Sequence, residues 1–414
     1  MALDKQEQCR DTIYHEQEEY KVDMDAIYSG KAITKAGEKL IADDVLKDNQ
    51  EFSNAMDVLS YWRHTFEAPL ETAFDVVEKE AQAYDKQAIC AKRLKRHVSI
   101  VNKLRRFEKM KLRNMQDIGG CRVIVSSIKK LRQIERRLKK RSEFRIRGGQ
   151  VKMKDYINHP KEDGYRSVHL IGQFNDGKGG KKYIEIQLRT VVQHYWATSL
   201  EIVDLFTHQS LKTNQGEEVW KSFFRDAGAL FEVIDNIHLF SQLDHKSQFE
   251  KMYEHIFQHP DKKAREHMLA CCKRVVKSCR DLKIINKLEA YTGSLKVVDD
   301  RLNDERIRGY VLLEINMKQK KVQTTVFEEE NAQKAAQVYV AAEKHAAVTE
   351  DAVVALVFSN AVGGIKSAYP NYFADSSEFI RCLLYIRRIY EAYDSEKSFS
   401  TSVLKTLFGV KQKN

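Results

Sequence analysis

Lys181-Lys-Tyr-Ile-Glu185-Ile-Gln187-Leu-Arg189-Thr190 alternates apolar and polar residues, the period-two pattern of a strand buried on one face. Ile184, Ile186 and Leu188 fall on one side, and Tyr183, Glu185, Gln187 and Arg189 share the other. A polar row carrying one carboxylate suits the floor of a cleft better than a solvent edge. Working upstream, the turn Asn175-Asp-Gly-Lys-Gly-Gly180 separates this strand, expected over Lys181–Leu188, from another over Val168–Phe174. Before that lies Asp155-Tyr156-Ile-Asn-His-Pro-Lys161-Glu-Asp-Gly164-Tyr165-Arg-Ser-Val-His169, where Lys154, Lys161, Arg166 and His169 surround Gly164-Tyr165. A glycine before a tyrosine permits a tight loop from which the ring lies flat on a base, while the cations hold phosphates.

Further upstream, Gly119-Gly120-Cys-Arg122-Val-Ile-Val-Ser126 is a short apolar run bounded by glycines, read as a buried strand. Ile128–Arg141 returns to helical period and Phe144–Lys154 reads as a strand. Asp117 stands at the mouth of the Gly120–Val125 strand. If the strand carrying Glu185 is adjacent, both carboxylates can surround one Mg²⁺ that already carries nucleotide phosphates. Ile89–Phe107 is predicted to be one basic amphipathic helix, with Leu94, Val98, Val101 and Leu104 on its apolar face.

The remaining segments extend this core. Residues 1–88 read as helical, with Met56, Leu59, Trp62 and Phe66 on one apolar spacing and a break at Pro69. Beyond Gln215 the chain reads as helical to about Asp300, burying Val219, Trp220, Phe223, Phe224, Ala227, Leu230, Phe231 and Ile234. Gly309–Met317 and Lys321–Phe327 form a predicted hairpin across Lys318–Lys320, followed by a helix near Glu328–Ala346, a strand over Ala352–Phe358 and a final helix after Asp375. The expected division is a helical region over 1–88, a core over 89–210, a helical region over 211–305 and a small ββαβα domain over 306–414.

Composition narrows the function classes. With 414 residues and 43% apolar content, the chain can fill more than one core. No apolar run approaches the roughly 20 residues of a membrane helix, and Met1–Glu18 lacks the apolar centre of a signal peptide. The expectation is a cytoplasmic protein with no membrane partner. Seven scattered cysteines fit reduced core thiols better than a metal site. Cys90–Gln150 alone holds 21 Lys or Arg against four acids, a net +17 beside +11 for the whole chain, and points to a polyanionic partner such as nucleotide phosphates or RNA. Lys129, Lys130, Arg132, Arg136, Arg137, Lys139, Lys140 and Arg141 are its densest cluster.

Over Arg93–Leu205 these motifs resemble, in order and spacing, the RelA/SpoT-homology synthetases, alarmone synthetases that move pyrophosphate from ATP to the 3′-hydroxyl of GDP or GTP. Arg93-Leu-Lys95 with Ser99 and Lys103 is similar to the family's ATP-side helix, and Asp117-Ile-Gly-Gly-Cys-Arg122 to its Mg²⁺-binding strand entry. Lys154-Asp-Tyr156 through His169 resembles its acceptor loop, Glu185-Ile-Gln-Leu-Arg189 its catalytic strand, and His194-Tyr-Trp196-Ala the following helix. The resemblance implies an α+β fold with a mixed-sheet, nucleotidyltransferase-like synthetase core. It implies ATP contacts from Arg93, Lys95, Lys103 and Arg122, acceptor contacts from Lys154, Tyr156, Lys161, Tyr165, His169, Gln187 and Arg189, and Mg²⁺ at Asp117 and Glu185, with Glu185 activating the hydroxyl. No His-Asp dipeptide occurs, so the hydrolase half of the bifunctional relatives is not expected. Glu162-Asp163 stands where the family often has Pro-Asn, adding two negative charges beside the acceptor pocket. The alternatives are a toxin-type enzyme acting on the tRNA 3′ end and a non-catalytic nucleotide-binding module. For the C-terminal domain three roles stay open, gating of the active site, binding of a regulatory partner and support of a homo-oligomer, and its sequence does not choose among them.

Overall fold

The computed structural model describes residues 28–42, 49–146, 148–207, 211, 216–294, 309–316, 321–328, 331–349, 352–359 and 376–408. Helices α1 (Gly30–Lys39), α2 (Asn49–His64) and α3 (Glu67–Tyr84) lead to strand β1 (Ile89–Leu94), helix α4 (His97–Arg106), strand β2 (Gly119–Val125) and helix α5 (Ile128–Lys140). Then come the short strands β3 (Arg145–Ile146), β4 (Gln150–Val151) and β5 (Met153–Asp155), and the long strands β6 (Val168–Asn175) and β7 (Lys181–Thr190). β7 runs straight into α6 (Val191–Thr207), followed by α7 (Glu218–Asn236), α8 (His245–Ile256), α9 (Lys262–Asp281) and α10 (Ile284–Ser294). Last are β8 (Gly309–Asn316), β9 (Lys321–Glu328), α11 (Ala332–Thr349), β10 (Ala352–Ser359) and α12 (Ser377–Phe408).

Eight strands make one mixed sheet in the order β5-β6-β7-β2-β1-β10-β8-β9. Only β2 and β7 are parallel, and the other pairings are antiparallel. The alternation along β2 and β7 sends Cys121, Val123, Val125, Ile184, Ile186 and Leu188 into a core with Phe74 and Val77 of α3 and Leu131, Ile134 and Leu138 of α5. Burying each such Leu, Ile, Val or Phe stabilises by about 1.5–3 kcal/mol, so the opposite faces of these strands are released for polar side chains. A second core joins α6, α7, α9 and α12 through Trp196, Phe223, Phe224, Cys272, Phe379 and Leu383. A third, around Leu312, Phe327, Tyr339 and Val354, holds α11 on the C-terminal strands.

Several expectations give way to tertiary context. Ile89–Leu94 is a strand, not the first half of a helix. It pairs along its whole length with β2 and at Ala91 and Lys92 with β10, and such pairing overrides a local helical pattern. Lys92, exposed in a surface helix, is here buried and paired with Glu71, its ammonium 4.9 Å from the Phe74 ring centre. Pro69 does not break a helix. It lies in the first turn of α3, where no intrahelical N–H donor is needed, and the break falls at Thr65-Phe66. The Phe144–Lys154 strand is interrupted at Gly148 and Gly149, whose φ of 76° and 82° leave the β region. β3 and β4 therefore pair only with each other. Val219 is 49% exposed, unlike its neighbours. The Lys318–Lys320 turn, Asp375 and residues 1–27 lie outside the described residues. Among the described residues no helix is long and apolar enough to cross a membrane.

Helix α11 is tied to α2 by a buried ion pair. Arg63 NH1 lies 2.5 Å from Glu343 Oε2, and Arg63 NH2 donates to the Tyr339 hydroxyl at 2.7 Å. Removing one member strands the other charge. We expect Arg63→Ala to lower the unfolding free energy by about 3–5 kcal/mol, measured from the denaturant midpoint at constant m-value. A loss under about 1 kcal/mol would mean that water reaches Glu343.

Candidate active site

Paired residues share a face of the sheet, so the strand register lays out the polar floor. Arg93, Gly120, Glu185 and Ile171 form one row across β1, β2, β7 and β6. Arg122, Gln187, His169 and Lys154 form the next, ending on β5. Gly120 puts a notch between Arg93 and Glu185: a Cβ there would meet nothing nearer than the Glu185 carbonyl oxygen, at 3.6 Å.

Glu185 is the centre of a hydrogen-bonded chain. Its Oε1 lies 3.1 Å from His169 Nδ1, and its Oε2 accepts from Gln187 Nε2 at 2.8 Å. His169 Nε2 lies 2.8 Å from the Tyr165 hydroxyl, which also accepts from Arg189 NH2 at 2.7 Å. Burial would raise the Glu185 carboxyl, but the bond and charge of His169, with Gln187 and the Lys95 charge, hold it well below the usual carboxylate range. Burial lowers the His169 imidazole, yet Tyr165 and Glu185 outweigh it and raise it. The Tyr165 phenol is pushed up by burial but brought down to about 7 by Arg189 and His169. Negative and positive groups thus alternate from Glu185 to Arg189.

A second carboxylate sits beside this chain. Asp117 Oδ2 lies 3.0 Å from Lys95 Nζ and 2.7 Å from Lys103 Nζ. Lys95 leaves the end of β1, its backbone N–H bonded to Ile118 O at 2.7 Å, while Lys103 comes from the last turn of α4. Asp117 Oδ1 is buried without a hydrogen-bond partner, leaving a hard oxygen donor able to accept a cation. Among the described residues no group of three or more His, Cys, Asp or Glu side chains could hold a metal. A cation here would have to complete its shell with phosphate and water.

The Gly164-Tyr165 loop rests on the helical part of the molecule. Gly164 has φ 91°, and a Cβ there would lie 3.2 Å from Phe224 O on α7. Gly228, one turn on, is the reciprocal small residue, and Trp196 Nε1 donates to the same Phe224 carbonyl at 2.9 Å. Arg166 pairs with Glu232, and Arg132 grips Asp155 through two bonds of 2.8 and 3.1 Å. The Tyr165 ring has the Lys161 ammonium 4.6 Å and the Arg189 guanidinium 5.2 Å from its centre, and Lys161 also lies 4.9 Å from the Tyr156 ring. Cations therefore cover the ring proposed as a base platform. Lys154 stands exposed at the edge of the floor, while Arg122 is buried in its middle. Phe224, Gly228 and Glu232 are not among the candidate site residues, because their contacts with Gly164 and Arg166 join segments far apart in the chain.

Residues 92–202 match the family described as a region found in RelA/SpoT proteins. This segment is similar to the RelA/SpoT region. The chain is 35% identical over 141 residues to GTP pyrophosphokinase YwaC of Bacillus subtilis (strain 168), covering 31% of this chain and 65% of that protein. Similarity to GTP pyrophosphokinase YjbM of the same organism is 34% over 111 residues, covering 26% of this chain and 51% of that protein. The chain thus spans between about half and two thirds of these relatives. Among solved structures it is similar to small alarmone synthetase 1 from Bacillus subtilis bound to its product pppGpp, at 24% identity over 42% of this chain and 92% of that one, with a TM-score of 0.35.

Two outcomes are expected of the RelA/SpoT region. An ultraviolet difference titration should find one tyrosine ionising near pH 7, the value to which Tyr165 is brought, and Tyr165→Phe should abolish that step. If every tyrosine titrates near its ordinary value of about 10, Arg189 does not act on the phenol as described. Gly164→Ala should cost about 1–3 kcal/mol of stability, because it forces a left-handed φ on a residue with a Cβ against α7. Calorimetry would check this, and an unchanged melting temperature would refute the loop–helix contact.

Proposed function

We propose that the chain is a pyrophosphokinase that transfers the β,γ-diphosphate of ATP to the 3′-hydroxyl of GDP or GTP, giving (p)ppGpp. The observation that carries this reading is the Glu185 carboxylate, kept anionic by His169 and Gln187 beside the Gly120 notch, with the Asp117–Lys95–Lys103 cluster next to it. The similarity to the GTP pyrophosphokinases YwaC and YjbM points the same way.

In this reading Arg93, Lys95, Lys103 and Arg122 bind ATP and neutralise its phosphates. Lys154, Tyr156, Lys161, Tyr165, Gln187 and Arg189 bind the acceptor, with Lys161 leaving the Tyr165 ring for the acceptor's phosphates. The acceptor's 3′-oxygen attacks the β-phosphorus, the bond from that phosphorus to the α-bridging oxygen breaks, and AMP leaves. Glu185 accepts the hydroxyl's hydrogen bond and takes its proton as the new O–P bond forms. A carboxylate held so firmly anionic is chiefly an aligning acceptor, which suits a transfer limited by positioning and charge neutralisation. Asp117 and Glu185 would hold Mg²⁺, which would supply further neutralisation of the diphosphate, and the unpartnered Asp117 Oδ1 fits that role.

The tRNA alternative draws less support from its basic cluster than the sequence suggests. Lys130 pairs with Asp85, Arg132 with Asp155 and Glu135, Lys139 with Glu135, and Arg137 and Arg141 with Glu80, so five of its eight cations are paired with acids of the same chain. Incubation with labelled ATP and GDP, GTP or tRNA decides the acceptor. We expect label in GDP or GTP; label confined to tRNA would overturn the acceptor assignment, and label in none would overturn the enzyme reading. Glu185→Gln should reduce transfer at least about 100-fold while ATP binding stays near wild type, and a variant keeping most of its turnover would remove Glu185 from the mechanism.

A further inference from the structure

Helix α4 carries Lys103 and begins two residues after Lys95, so its placement sets how both cations meet Asp117. Its own sequence does not cap it: Arg96, at the N-cap, makes no side-chain cap hydrogen bond. The first N–H groups of a helix need an acceptor. For His97, the first residue of α4, the acceptor is Glu343 Oε1 at 3.0 Å, from a helix 246 residues away. The same carboxylate is fixed from behind by Arg63 NH1, 2.5 Å from Oε2, and by the Tyr339 hydroxyl. A carboxylate at a helix N-terminus also complements the positive end of the macrodipole. The Glu343 side chain is 6% exposed, so little solvent screens this contact.

We propose that Glu343 is a positioning residue for the donor nucleotide: from α11, outside the RelA/SpoT region, it supplies the missing cap of α4 and so holds Lys95 and Lys103 in place for ATP phosphates. The assignment rests on the reading of those lysines as ATP-side cations. It gives the C-terminal strands and α11 a defined task, setting affinity for the diphosphate donor without touching it.

The test compares two double variants in one background. Arg63→Met with Glu343→Gln removes both buried charges but keeps an amide oxygen for the His97 N–H. Arg63→Met with Glu343→Met removes the acceptor too, and replacing a buried ion pair by apolar side chains is expected to preserve the fold. The Met/Met variant should show a five- to tenfold higher KM for ATP than the Met/Gln variant, about what loss of a helix cap implies. KM for GDP should change less than about twofold and kcat little. Binding of a non-hydrolysable ATP analogue, followed by calorimetry, should weaken by the same factor. Because that readout needs no turnover, a wild-type protein that binds the analogue but transfers nothing overturns the proposed function and leaves this inference to be judged on binding. Equal affinities in the two variants, equal losses for ATP and GDP, or no analogue binding by the wild type would each overturn the inference. Should both variants fail to fold, hydrogen exchange of the intact protein decides: the His97 amide should be as protected as the interior of α11, and exchange at the rate of an open amide would refute the cap.

Discussion

The parallel register of β2 against β7 is the constraint on which the polar floor depends. It sets Gly120 against Glu185 and Arg122 against Gln187, and the antiparallel partners β1 and β6 then bring Arg93 and His169 to the same rows. A slip by one residue would turn Glu185 into the α3 core and expose Ile184 and Ile186 to the cleft. The apolar inner face, with Val123, Ile184, Ile186 and Leu188 nearly fully buried, forbids that slip. Packing on one side of the sheet therefore enforces the chemistry on the other.

Charges on the two faces of the sheet are held in pairs. Lys92 has Glu71, Glu185 has His169, and Asp117 has two lysines. Such pairs stabilise a fold little in net terms, since desolvation offsets most of the attraction. Their value is geometric: each partner limits where the other can point. Asp117 leaves one buried oxygen without a hydrogen-bond partner, as Arg189 leaves its Nε, and buried polar atoms left open at one site are a mark of a binding position.

Much of this arrangement is legible in the sequence, and the limits have physical causes. The β2, β6 and β7 strands and helix α5 announce themselves because period-two and period-3.6 patterns are local. Glu185 and the Lys154–His169 loop stand out because polar residues interrupt those patterns. β1 is hidden because its burial depends on Glu71 and Phe74 receiving Lys92 and on two neighbouring strands, none of which a window around Ile89 contains. The loop anchor is hidden for the same reason, since Gly164 needs Gly228 and Phe224 from another layer. Glu343 reads as one more acid on an amphipathic helix, and only the fold sets it against Arg63 and His97.

The order of the sheet has a consequence for how the protein is made. β1 lies between β2, close by in sequence, and β10, whose Ser359 pairs with Ala91. During synthesis the RelA/SpoT region leaves the ribosome long before its second neighbour exists, so one side of β1 is an open strand edge for the time needed to make a further 150 residues or so, roughly ten to thirty seconds at ordinary elongation rates. An unpaired edge of this kind invites pairing with another chain, and Lys92 and Arg93 place charge on it during that interval. Completion of the sheet from the far end of the chain therefore ties maturation of the proposed donor site to late translation, and a polypeptide cut short before α11 would be both uncapped at α4 and prone to aggregate.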